Sequence, residues 1–318
     1  MIEYIFKRLL LLLPTVAVPM ILLFVLLRLT PGDPAAAVLG DDATVEQISA
    51  LRDEMGLNDP ILVQFLTWLG NLIRFDFGES IFLDQPVAEL VLGRAAITAQ
   101  LAVFALLIAV LVGPALGAFS ATLKNRKMDK ALVVGSAVGI AMPTFWLAIL
   151  MIFIFGVVLK VLPVAGFTSI FQDPVKFFYY MALPALSLGL LEAATLYRYS
   201  RNGVMDAKNQ PYVTTARAQG LPERVITSRY IFRSALVPIV TMVGVAAAGL
   251  LGGAVVTESV FSIPGLGQLL LTAVQRRDYP VIEGCIFFIA VVFVVVNLAV
   301  DLTYAFLDPR IRLDSKEA

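Results

Sequence analysis

Six stretches of the chain run almost without interruption through apolar residues: 9–29, 98–123, 131–159, 181–197, 235–257 and 283–307. Each is about long enough, at ~1.5 Å per helical residue, to cross a hydrocarbon core of ~30 Å. The pattern predicts an all-α membrane protein with six transmembrane helices. The first run exceeds the ~7–15 residues of a secretory signal core and carries Pro14, Pro19 and Arg28, so it is read as a retained span.

Between the first two runs the pattern changes. Turn formers cluster at Leu29-Thr-Pro-Gly-Asp-Pro34, and apolar residues then recur at helical spacing over 45–55 and again over 59–73, where Trp68 is a candidate interface anchor. A connection this long needs structure of its own or a partner. Residues 31–97 therefore read as an external loop of amphipathic helices, a small scoop for a soluble partner. It follows an N-terminal segment and first span, 1–30, and precedes a five-span core, 98–307, and a tail, 308–318.

The longest polar interruption of the core is the loop 198–235. Pro211 suits the first turn of a helix, while Gly220 and Pro222 supply a left-handed end and a stop. The helix between them spans Tyr212, Val213, Thr214, Thr215, Ala216, Arg217, Ala218, Gln219 and Gly220. Its small residues Thr214, Thr215, Ala216 and Ala218 permit close approach by another protein. Beyond Leu221, residues Arg224, Arg229 and Arg233 alternate with Val225, Ile226, Ile231 and Phe232 as far as Pro238. That is the pattern of a basic amphipathic helix lying on an anionic leaflet and bracing the docking helix.

Glycine and proline punctuate the spans. Gly113-Pro114, Gly117, Gly135, Gly139 and Pro143 point to bends or tight helix contacts in the second and third. Gly244, Ala248 and Gly252 make a smooth face on the fifth, flanked by Gly249 and Gly253; it fits a dimer seam or a moving wall as well as ordinary contact within the chain. After Phe261, residues Pro264, Gly265 and Gly267 read as turn points before a short interfacial helix, 268–276, near the outer end of a pathway. Of the intramembrane ionisable groups Arg28, Glu192, Glu258, Glu283 and Asp301, most lie near span ends; Arg28, Glu258 and Glu283 are expected to snorkel or sit at the surface, and Asp301 lies nearer mid-span. Asp301, one turn after Asn297, is the candidate for an interhelical polar contact.

Composition agrees: 59% of residues are hydrophobic and 15% charged, outside the usual range for a soluble domain. Orientation follows from the basic residues. Lys7, Arg8, the cluster Lys124 to Lys130, the arginines of loop 198–235, and Arg310, Arg312 and Lys316 fall on one side. That side is therefore cytoplasmic, with both termini. There is no His, and the lone Cys285 lies in a span, which removes the commonest metal ligand and any internal disulfide. No nucleophile sits beside a base and no glycine loop ends in Lys-Ser or Lys-Thr, so catalysis by this chain is not expected. An ion-driven secondary transporter, the rival class, would need midplane acids or an internal repeat; only Asp301 fits, and no repeat is evident.

Together, several motifs make the chain resemble inner-membrane permease subunits of binding-protein-dependent ATP-binding-cassette importers, of the dipeptide and oligopeptide class. They are Ile5-Phe-Lys-Arg-Leu9, the turn ending at Pro34, Gly56-Leu-Asn-Asp-Pro60, Phe75-Asp-Phe-Gly-Glu-Ser80, Thr215-Ala-Arg-Ala-Gln-Gly220, Ser262-Ile-Pro-Gly-Leu-Gly267, Arg277-Asp-Tyr-Pro280 and Leu307-Asp-Pro-Arg310. The resemblance implies the type I importer permease fold and makes Tyr212 to Gly220 the coupling helix that sits in a cleft of a cytoplasmic ATPase. Thr214, Thr215 and Ala216 hold the positions of the family's Glu-Ala-Ala signature. Thr replaces its acid, and Pro211 and Gln219 stand where an acid and a Lys are frequent. It further implies a bacterial or archaeal cytoplasmic membrane location. The implied partners are a second homologous permease in a heterodimer, two ATPases that carry ATP and Mg, and an external binding protein. No cofactor is held by this chain and no nucleic acid is involved. Short peptides are the expected cargo; glutathione, opines, oligosaccharides and nickel complexes are handled by relatives.

Overall fold

The computed structural model describes residues 2–29, 34–39, 43–54 and 56–307. The turn at 30–33 and the tail 308–318, with Arg310, Arg312 and Lys316, lie outside the described residues, as do the side chains of Lys7 and Arg8. The described residues are helical with short connections: α1 (Ile2–Leu29), α2 (Pro34–Leu39), α3 (Val45–Glu54), α4 (Ile61–Ile73), α5 (Val87–Thr122), α6 (Arg126–Ala141), α7 (Thr144–Met151), α8 (Pro174–Lys208), α9 (Pro211–Ala218), α10 (Glu223–Val225), α11 (Phe232–Phe261), α12 (Leu266–Arg276) and α13 (Tyr279–Leu307). Two π-helical stretches, Ile152–Val158 and Ile226–Ile231, extend α7 and join α10 to α11.

Four continuous helical segments among the described residues are long and apolar enough to cross a membrane: Val87–Thr122, Pro174–Lys208, Glu223–Phe261 and Tyr279–Thr303. A fifth is bent. The run expected as one helix over 131–159 is instead α6 and α7 with its π-helical extension, meeting at 108°. The cause is Met142-Pro143: Pro143 has no N–H to continue the helix, and Met142 before it is held extended at φ −77° and ψ 131°. The first expected span corresponds to α1, whose described side chains cover the apolar stretch Leu13–Leu29.

The chain divides into two compact units, one comprising residues 1–97 and 264–294, the other 98–263 and 295–318. In the first, a core of Met20, Leu23, Leu72, Val87, Val91, Leu266, Leu269 and Ile282 joins α1, α4, α12 and the first parts of α5 and α13. The two expected loop helices are present as α3 and α4. Trp68, however, is not a free anchor: its ring lies 5.2 Å from that of Phe24, and its indole donates to Glu283. Arg28 does not snorkel outward. It stacks 3.6 Å above the Phe24 ring and donates to Gln64 at 3.1 Å, so α4 lies antiparallel along the last turns of α1. Two of the motifs that carried the resemblance meet in a buried bond, Ser80 Oγ donating to Asp278 Oδ2 at 2.6 Å.

In the second unit α8 is the central helix, with α6, α7 and α11 packed on it and α5 approaching it through glycines. Close approach depends on glycine. A Cβ at Gly113 would stand 2.6 Å from the carbonyl oxygen of Ala193, one at Gly189 2.6 Å from that of Ala105, and one at Gly117 would strike Tyr197. Of the two expected roles, Gly113 and Gly117 serve tight contact. Glu258 is not at the surface; it is fully buried and accepts a 2.6 Å bond from Thr98 Oγ1. Asp173 caps α8 by accepting from the Lys176 backbone N–H at 3.1 Å, which holds its carboxyl below the usual range.

Candidate functional site

Helix α9 begins at Pro211 and ends in a Schellman turn: Leu221 N–H bonds to the Ala216 carbonyl at 3.2 Å and Gly220 N–H to that of Arg217 at 3.0 Å. Gly220 takes φ +76°, the left-handed conformation a side chain resists. Two residues a turn apart, Val213 and Ala216, are buried and hold the helix down. They join Ala121 of α5, Val204 and Ala207 of α8, Ile226, Ile231 and Ala235, with Leu221 packed against the group. Tyr212, Thr214, Thr215, Arg217, Ala218, Gln219 and Gly220 are exposed.

This arrangement corrects two expectations. Ala216 is an anchor rather than part of the outward face. Ile226 and Ile231, expected on the leaflet, are fully buried beneath α9, while Arg224, Arg229 and Arg233 are exposed. The π-helical register explains this, because it turns residues five apart to one side. The segment braces α9 through the protein interior. Pro222 is exposed at the start of the segment and Pro238 lies half-buried within α11.

Sequence reasoning missed the polar knot behind this loop. Arg201 donates to Asp129 through two bonds of 3.0 and 2.8 Å, Ser120 Oγ donates to the same carboxylate at 2.5 Å, and Tyr197 shares a 2.7 Å bond with Ser120. The knot ties α5, α6 and α8 together. Its signal was Asp129, a lone acid among Lys124, Arg126, Lys127 and Lys130. Lys208 adds a bond from the end of α8 to the Ala121 carbonyl. Also missed was Glu223, which accepts from Arg217 at 2.6 Å and raises the guanidinium's pKa further, so Arg217 stays charged.

The other predicted groups are only partly assembled. Gly244 meets Val300 of α13, and Gly253 meets Leu188 of α8, so part of the fifth-span face serves contact within the chain. Ala248 is half-buried, and a Cβ at exposed Gly252 would touch nothing within 4 Å. Phe261 is buried at the end of α11 in the second unit. Pro264, whose carbonyl accepts from Arg94 at 3.0 Å, Gly265 and Gly267 belong to the first. Gly265 is the extended N-cap of α12, and Gly267 lies inside that helix rather than in a turn. The left-handed positions bracketing the segment are Ser262 and Arg277.

Residues 113–313 match the family described as binding-protein-dependent transport system inner membrane component, and residues 1–102 match the N-terminal part of such membrane components. A Brucella abortus protein provisionally named a peptide transport system permease is 38% identical over 314 residues, covering 99% of this chain and all of that one. The probable peptide ABC transporter permease of Sinorhizobium fredii is 37% identical, with 97% and 99% covered. The glutathione transport system permease of Salmonella choleraesuis is also 37% identical, with 98% and 99% covered. The crystal structure of an amino acid ABC transporter with histidines superposes with a TM-score of 0.51 at 18% identity, over 68% of this chain and 94% of that one; this is a likeness of fold.

Proposed function

Because this chain belongs to the family of binding-protein-dependent transport system inner-membrane components, we propose that it carries short peptides, glutathione among them, and receives ATP-driven work through the exposed face of α9. Membership makes it a multi-pass inner-membrane permease, the non-catalytic subunit of an ATP-binding-cassette importer whose partners include an ATPase and a binding protein. It also displaces the ion-driven alternative.

The observation that carries the coupling role is the two-sidedness of α9. Val213 and Ala216 root it in α5, α8 and α11, while Tyr212, Thr214, Thr215 and Ala218 are left exposed for a cleft to grip. A push on that face reaches three long helices through buried apolar contacts, which transmit displacement because interiors are close-packed. Around this core the proposal places six spans with both termini in the cytoplasm, a second permease of the same kind as heterodimer partner, and two ATPases that bind the ATP and Mg. This chain holds no cofactor. The peptide cargo is supported by the names of the three full-length relatives.

The test is to tag the chain in its native host, extract it gently and identify what copurifies by mass spectrometry. A P-loop ATPase, a second permease and a binding protein whose ligand is a peptide are expected. A solitary chain, or a binding protein loaded with a sugar, would overturn the corresponding part.

A further inference from the structure

Glu192 stands alone in an uncharged region. It is the only charged residue of α8 between Lys176 and Arg198, and the facing stretch of α11, 235–257, has none. At ~1.5 Å per residue it lies ~9 Å from Arg198, the next charged residue of the helix, and ~27 Å from Pro174 at the other end, inside the span and nearer its basic end. Among the described residues no charged group or hydrogen-bond donor acts on its carboxylate.

Its direction is fixed by the pairing of α8 with α11. Gly253 faces Leu188, Gly249 faces Glu192 and Gly203 faces Pro238, an antiparallel register in which Glu192 Oε1 lies 3.6 Å from where a Gly249 Cβ would be. Leu188 is buried, but Glu192 is half-buried. It touches Gly249, which shares an exposed face of α11 with Val245, Gly252 and Val256. An ionisable side chain at this depth does not face lipid; it faces water or protein. The exposed side of α11 beside Glu192 is therefore a side turned to water or to another protein rather than to lipid.

We infer that the Glu192 carboxylate is a cargo-contacting group that meets the ammonium of a peptide-like substrate part-way across the membrane. This rests on the peptide reading of function. No described residue supplies a cation to it, so in this proposal the cation comes from the cargo; a basic side chain of the second permease is the alternative the experiment separates. The bare positions Gly249 and Gly252 leave room beside the carboxylate, and a lasting ion pair there would lock a surface that has to part during transport. Peptides and glutathione, the cargoes named for the relatives, share one chemical feature a carboxylate recognises, a free α-ammonium group.

The experiment uses the whole importer, with its binding protein, in phosphatidylethanolamine and phosphatidylglycerol liposomes, and follows ATP-driven uptake of trialanine and of glutathione. Glu192→Gln should lower uptake about tenfold or more with the subunits copurifying in unchanged proportion, and Glu192→Asp should retain at least a third. Independently, Glu192→Cys with Cys285→Ala should react with water-borne methanethiosulfonate ethylammonium, more slowly while trialanine is being transported. Normal uptake by Glu192→Gln, or an unreactive Glu192→Cys, would overturn the inference alone. A Glu192→Gln importer that falls apart would assign the carboxylate to a bond with the second permease. A wild-type importer that assembles with its ATPase but moves neither probe would overturn the peptide reading and this inference with it.

Discussion

Gly220 shows how one backbone angle carries the end of the docking helix. A Cβ there would meet nothing within 4 Å, so the requirement is conformational, set by φ +76°. A β-branched residue resists that region at a cost of roughly 1–2 kcal/mol, whereas Asn visits it readily. Gly220→Val should abolish most ATP-driven uptake at normal membrane abundance, while Gly220→Asn keeps most of it; equal uptake by both would remove the left-handed turn from the mechanism. Arg201 carries a different load. Removing it leaves Asp129 with Ser120 as its remaining side-chain donor among the bonds of the knot. About a quarter of each charged side chain is exposed, 23% and 24%, so Arg201→Ala should cost near the lower end of ~1–3 kcal/mol. Thermal unfolding of the purified chain in detergent would read this as a lowered midpoint, with Arg201→Lys falling between because Lys cannot bind both carboxylate oxygens as Arg does.

At the scale of elements, the small residues of α11 separate into two populations. Gly244 is covered by Val300, and Gly252 by nothing within 4 Å among the described residues. Gly244→Leu should therefore overpack α11 against α13 and destabilise the isolated chain by roughly 1–3 kcal/mol. Gly252→Leu should leave the isolated chain's unfolding unchanged and act only on transport or pairing with the second permease. Unfolding of both variants like the wild type would show that the α11–α13 contact accommodates a larger side chain at Gly244. The stripe was legible as a sequence pattern, but its division was not, since four-residue spacing says which residues share a face and nothing about what covers it. The same holds for α9: its ends were readable from Pro211, Gly220 and Pro222, while the inward turn of Ala216 depended on the neighbouring π-helical segment.

For the molecule as a whole, the proposed orientation makes opposite predictions for two exposed positions. Phe171, 91% exposed between α7 and α8, belongs outside, and Ser228, beyond α9, belongs inside. In intact spheroplasts a membrane-impermeant maleimide should label Phe171→Cys and spare Ser228→Cys, with the buried native Cys285 silent. The reverse labelling would invert the topology and put α9 on the wrong side to meet an ATPase.

The sequence by itself determined the class, the family and the punctuation of the helices. Apolar run length, proline and glycine act locally, and a membrane demands that each spanning segment satisfy its own backbone. Tertiary structure alone decided which polar groups meet. Ser80 and Asp278 are 198 positions apart, Thr98 and Glu258 160 apart, and Arg201 and Asp129 72 apart. A charge expected at the surface, such as Glu258, is buried because its partner lies on another helix. Burial of a polar group is favourable only where a partner waits, and no local pattern records where the chain brings that partner.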